Sequence, residues 1–123
     1  MNGFFVLACV IAFLVVSGPA RAGEAVVEGV VVRPDGAGTF RFDVTVRHAD
    51  TGWDHYANAF VVGADAATLF GTRTLHHPHV NVHPFTRSLG GVAVPTGTAT
   101  VSVWAVDSVH GAGPPVTVTL PRE

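Results

Sequence analysis

Between residues 39 and 48 apolar and polar side chains alternate without a break. Phe40, Phe42, Val44 and Val46 fall on one face, and Arg41, Asp43, Thr45 and Arg47 on the other. Successive side chains of a strand point to opposite faces, so this pattern predicts a strand with one face in a core. Residues 98–107 repeat it, with Ala99, Val101, Val103 and Ala105 on one side. Residues 25–33 (AVVEGVVVR) form a β-branched run that stops at Pro34-Asp35-Gly36, and 56–63 (YANAFVVG) end at Gly63-Ala64-Asp65. Both endings are turn signals. Residues 68–75 read as a further strand interrupted by Gly71, and 80–89 as another, with Pro84 near its start and Val80 and Val82 on the core side. Gly90-Gly91 and Pro95-Thr96-Gly97 bound the next connection, and 116–120 close the chain between Pro115 and Pro121, which suits an edge strand.

No sustained apolar stripe of helical period follows residue 22. The expected fold is therefore all-β, an immunoglobulin/fibronectin-like sandwich of about seven antiparallel strands. A small barrel or jelly-roll fragment is the alternative. The Cys…Trp…Cys spacing of antibody domains is absent, so the expectation concerns architecture and not that family.

Residues 1–22 read as a signal peptide. Residues 4–16 are an unbroken apolar run, Ser17-Gly18-Pro19 breaks it, and Ala20-Arg21-Ala22 puts small residues at the two positions a signal peptidase reads. Thirteen apolar residues are few for a bilayer span, which needs roughly 20. No basic residue precedes the run, so an uncleaved membrane anchor is the alternative, and the only expected membrane contact is through this segment. Residues 23–123 are then a single domain, periplasmic or secreted.

Composition narrows the partners. The net charge is −2, and losing Arg21 makes the domain −2 − 1 = −3. There is no lysine, and the arginines are scattered, which argues against nucleic acid and anionic membrane as partners. Cys9 and Met1 both lie in the expected leader, so the domain has no sulfur.

Seven histidines remain to be explained. If the strands run up and down in sequence order, the connections 49–55, 76–81 and 108–114 lie at one pole. With the adjoining strand ends they hold His48, His55, His76, His77, His79, His83 and His110, every histidine in the chain. Pro78 pushes His77 into extended conformation, so His77 and His79 at i, i+2 are expected to share a face and chelate one ion. Asn81 and His83 would follow on that face. His48 continues the inward parity of 40–46, and Asp107 that of 101–105, so the two are expected to meet across the core. They would do so as a structural hydrogen bond, or as ligand and orienting carboxylate.

Imidazole with carboxylate and no thiolate suits Cu²⁺ or Zn²⁺. The expected metal residues are His77 and His79 foremost, then His48, His55, His76, His83, His110 and Asp107. Catalysis is not expected. Asp50, Asp54 and Asp107 are the candidate acid–base groups, but no nucleophile elbow, phosphate loop or HExxH motif occurs. The main alternative is a non-catalytic module whose GWDHY loop contacts a protein or glycan. A surface that responds to pH through clustered imidazoles is a third reading.

The segments RHADTGWDHYANAF (47–60), FGTRTLHHPHV (70–80), PFTRSL (84–89) and DSVHG (107–111) resemble small exported bacterial proteins of uncharacterised function. The resemblance covers most of the chain after residue 22. It implies an exported single β-sandwich domain and carries over no catalytic role.

Overall fold

A computed structural model describes residues 10–12, 23–80 and 83–121. The strands are β1 (Val10–Ala12), β2 (Val26–Gly36), β3 (Thr39–Arg47), β4 (Ala57–Asp65), β5 (Thr68–Thr74), β6 (Phe85–Ala93), β7 (Thr100–Asp107), β8 (Gly111–Ala112) and β9 (Val116–Thr119). One sheet has the order β1-β2-β3-β6; the other runs β5-β4-β7, with β8 and β9 both on the far side of β7. The seven long strands thus divide as β2-β3-β6 and β5-β4-β7-β9, all antiparallel, in an immunoglobulin/fibronectin-like sandwich.

The alternation in β3 and β7 sets the core. Phe42, Val44 and Val46 from one sheet meet Phe60, Val62, Val103 and Ala105 from the other, all almost fully buried. On β2 the register shifts between Val27 and Gly29, so Val27 as well as Val30 and Val32 turn inward although their parities differ. A bulge does this by inserting one unpaired residue. Core residues among those described begin at Ala25.

Three expectations change in the folded chain. The strand expected over 80–89 begins only at Phe85, and Val80 is exposed rather than in the core; Asn81 and Val82 lie outside the described residues. Pro84 has no N–H for the ladder, and pairing with β3 starts at Val46↔Phe85. Gly90-Gly91, expected as a turn, lies inside β6. Phe40 pairs with Val92 and Phe42 with Leu89, so the glycine pair supplies the extra residue of a bulge, with Gly91 at φ +64°. Likewise β2 runs past Pro34 to Gly36, leaving only Ala37 and Gly38 as the turn.

Of the expected leader only Val10–Ala12 is described. It forms three residue pairs along the outer edge of β2, opposite Val30–Val32, while Ala20-Arg21-Ala22 lie outside the described residues.

The outer face of β3 carries a polar network. Asp43 accepts hydrogen bonds from Arg33 (3.2 Å), Arg41 Nε (3.0 Å) and Ser88 Oγ (2.6 Å), joining β2, β3 and β6. Burial works against its ionisation, but these donors hold its carboxyl below the ordinary value. Truncating Asp43 to Ala is expected to cost about 1–2 kcal/mol, since three charge-assisted or cross-strand bonds go at once. In urea unfolding the midpoint should fall while the slope stays unchanged.

Candidate metal centre

Strand ends gather at one pole because the registers pair Arg47 with Val26, Phe85 with Val46, Asp107 with Ala57 and Thr74 with Ala59. The connections leaving those ends carry all seven histidines, as the alternating chain direction predicts. A cavity at the opposite pole is lined by Phe40, Val94, Pro95 and Leu120 among others, with no titratable side chain among the described residues that line it.

His48 is the first residue after β3, and its side chain is fully buried. Its Nδ1 lies 2.5 Å from Asp50 Oδ1, and its Nε2 contacts Asp107 Oδ2 and lies 2.8 Å from the Gly23 carbonyl oxygen. His48 and Asp107 therefore meet across the core, through the inward parity of β3 and β7. Asp107 is also fully buried, and its two oxygens divide the work. Oδ1 accepts from the amides of Val109 (2.5 Å) and His110 (2.9 Å), closing its own turn. Oδ2 faces imidazoles: His48, His55 Nε2 at 2.6 Å and His110 Nδ1 at 3.4 Å.

His55 reaches this point because its loop folds back on itself. The Thr51 amide donates to the His55 carbonyl (3.0 Å) and the His55 amide to the Gly52 carbonyl (3.2 Å). Gly52 sits at φ +138°, a conformation that favours glycine. The ring of His55 lies 4.8 Å from that of His48 and 4.9 Å from that of His110. Only about a quarter of its side chain is exposed, against 43% for His110.

Asp50 organises the other side. Its Oδ1 takes His48 Nδ1 and the Ala57 amide (3.1 Å), and its Oδ2 the His79 amide (2.6 Å). His83 Nδ1 accepts from the His48 amide at 3.0 Å, and its Nε2 stands 3.4 Å from Asp50 Oδ1.

The histidines therefore separate into groups. One ligand atom from each of His48, His55 and Asp107 lies within 4.8 Å of the other two, a group that could hold a metal ion. His110 borders it through Asp107. His79 is turned elsewhere: its ring stacks on Phe85 at 4.0 Å, and its Nε2 is 3.1 Å from Arg87. His77 is exposed with its ring 6.4 Å from Trp53, so His77 and His79 have different neighbours despite their spacing. His76 is exposed as well. Trp53 is 65% exposed and touches Tyr56 edge-on at 5.6 Å.

Two participants escaped the sequence as members of this centre. Asp50 could have been found, because His48 and Asp50 are two apart on an extended segment and so share a face. The Gly23 carbonyl carries no sequence signal.

Electrostatics follows the contacts. For Asp107 burial opposes ionisation, but the His110 and Val109 amides and the two imidazoles overcome it and push its carboxyl far below the ordinary range. Burial likewise opposes the charge on Asp50, and the His79 amide, His48 and the Ala57 amide reverse it. For His48 burial lowers the proton affinity, yet Asp50, the Gly23 carbonyl and Asp107 raise it on balance. With acceptors on both nitrogens, the ring suits the doubly protonated form. Burial, then Arg87, lowers the affinity of His79.

These shifts predict the stability of the metal-free protein against pH. The His48 contribution is complete below the ordinary value of 6.5 and is lost as pH rises through its raised folded value. His79 acts oppositely, since its neutral folded form loses stability as pH falls below 6.5. The Asp50 and Asp107 contributions are present above 3.8 and are lost as pH falls through their lowered folded values. Urea midpoints of metal-free protein should therefore peak near pH 6.5 and decline on both sides. A midpoint still rising above pH 8 would contradict the protonated His48.

Fold and site together define a β-sandwich with a buried histidine–aspartate group at one pole. In sequence the chain is 40% identical over 90 residues, 73% of its length, to a protein of Halomicrobium mukohataei named "Putative lipoprotein". The chain spans 44% of that protein's length. No family description matches the chain, and no solved structure does.

Proposed function

We propose that this is an exported domain that binds one divalent transition-metal ion, Zn²⁺ or Cu²⁺, through His48 Nε2, His55 Nε2 and Asp107 Oδ2, with His110 as a fourth ligand. The observation that carries this is the convergence of those atoms from two connections, the one between β3 and β4 and the one after β7, onto one point beneath the rim. In a tetrahedral site with bonds of about 2.0–2.1 Å, ligand atoms sit about 3.4 Å apart, a spacing within the 4.8 Å limit of this group. Donor chemistry agrees: imidazole and carboxylate without sulfur suit Zn²⁺ and Cu²⁺. Asp50 on His48 Nδ1 supplies the outer hydrogen bond that metal-bound histidines ordinarily make. Export rests on the leader-like residues 1–22 and on the name of the Halomicrobium mukohataei relative.

Metal must displace a proton from His48, so affinity rises with pH through the raised His48 value. The test is calorimetric titration of untagged protein with Zn²⁺ and with Cu²⁺. One ion per chain is expected, with affinity at least 100-fold weaker in His55→Ala and little changed in His77→Ala. Absence of stoichiometric binding of either ion at pH 8 would overturn the reading.

A second reading, an interaction module, draws on the exposed Trp53, Val80 and Val109 in the three connections at the same pole. A partner captured by that rim would bind equally well in chelator and be lost in Trp53→Ala.

A further inference from the structure

We propose that hydrolysis of the Ala22–Gly23 bond adds a donor to the metal centre, the new α-amino group of Gly23 becoming a ligand beside His48, His55, Asp107 and His110. This rests on the metal reading above and adds the event that strengthens the site.

Two independent observations meet at Gly23. In the sequence, Ala20-Arg21-Ala22 follows the apolar run and its breaker, so leader cleavage would expose Gly23 as the first residue. In the fold, Gly23 sits among the proposed ligands. Its carbonyl oxygen is 2.8 Å from His48 Nε2 and 3.2 Å from His55 Nε2. A Cβ on Gly23 would stand 2.9 Å from His110 Cε1 and 3.4 Å from His55 Cε1, and its φ is +89°. Rings of three histidines thus close around the backbone of one glycine, and a Cβ there would press on the His110 ring.

The chemistry explains why cleavage matters. In the uncleaved chain the Gly23 nitrogen belongs to a peptide bond, its lone pair delocalised into the carbonyl, and it is a poor ligand. Hydrolysis adds the hydroxyl of water to the Ala22 carbonyl carbon and its hydrogen to the Gly23 nitrogen, with no change of oxidation state; a signal peptidase is the catalyst. The product is an amine whose ordinary pKa, about 7.7–8.0, leaves a lone pair available near neutrality. Amine nitrogen and carbonyl oxygen of one residue close a five-membered chelate ring on a metal, and this carbonyl already faces the imidazoles. Cleavage leaves the described core intact, because that core begins at Ala25 and β1 makes only three pairs at a sheet edge.

The absence of lysine supplies a clean test. In protein exported and processed by its host, the α-amino group is the only primary amine, so acetylation with an N-hydroxysuccinimide ester modifies that atom alone. Intact mass should first place the N-terminus at Gly23. Acetylation should then weaken Zn²⁺ and Cu²⁺ binding at least tenfold without lowering the melting temperature of metal-free protein, and bound Zn²⁺ should slow the acetylation. Unchanged affinity after acetylation, or an N-terminus elsewhere, overturns the role of Gly23 and leaves the His–Asp site standing. Failure of both forms to bind metal overturns the two together.

Discussion

At a free Zn²⁺ or Cu²⁺ concentration 100 times its dissociation constant, the protein should melt roughly 10–20 °C higher than in chelator. An ion bound only by the native state adds RT ln(1 + [L]/Kd), about 2.7 kcal/mol at that ratio. Each kcal/mol moves the midpoint of a domain of about 100 residues by about 4–8 °C. The gain should vanish in His55→Ala, which removes a partly exposed ligand without opening the core. It should persist in His77→Ala, whose ring lies out beside Trp53. Differential scanning calorimetry with and without EDTA reads both. A rise retained in His55→Ala but lost in His77→Ala would move the site to the exposed loop.

Asp50→Ala should destabilise the metal-free protein by about 3–5 kcal/mol, the range found when one partner of a buried ion pair is removed. Asp50 does not belong to the proposed ligand set, yet three groups depend on it: the buried His48 ring and the amides of Ala57 and His79. Losing it leaves an imidazolium without one acceptor and two N–H groups without theirs. Metal affinity should fall 10–100-fold at the same time, because His48 loses the bond that orients it. Asp50→Asn, which keeps an oxygen for the amides, should recover part of the stability. A loss below about 1 kcal/mol in Asp50→Ala would mean that the loops are held by something other than this carboxylate.

Period-2 patterning made the strands legible, and most plainly β3 and β7, whose one-sided burial follows from alternation alone. The same parity carried His48 and Asp107 inward and predicted their meeting, because a strand's facing is a local property that persists one residue past its end. Counting strand directions then assigned every histidine to one pole. Where the sequence misled, a local rule met a non-local competitor. Gly90-Gly91 resembles a turn, but β3 continues beside it, and the ladder absorbs the pair as a bulge. His77 and His79 have chelating spacing, but Asp50 tethers the His79 amide and Phe85 takes its ring.

By itself, then, the sequence determined the fold class, the inward course of the two central strands and the pole to which the imidazoles go. Tertiary structure alone decided which of them converge. That choice depends on where loop backbones from distant parts of the chain cross, here Gly23, Asp50 and the turn after Asp107. No periodicity within a single segment records such crossings, because ligand distances are set by the packing of one loop against another.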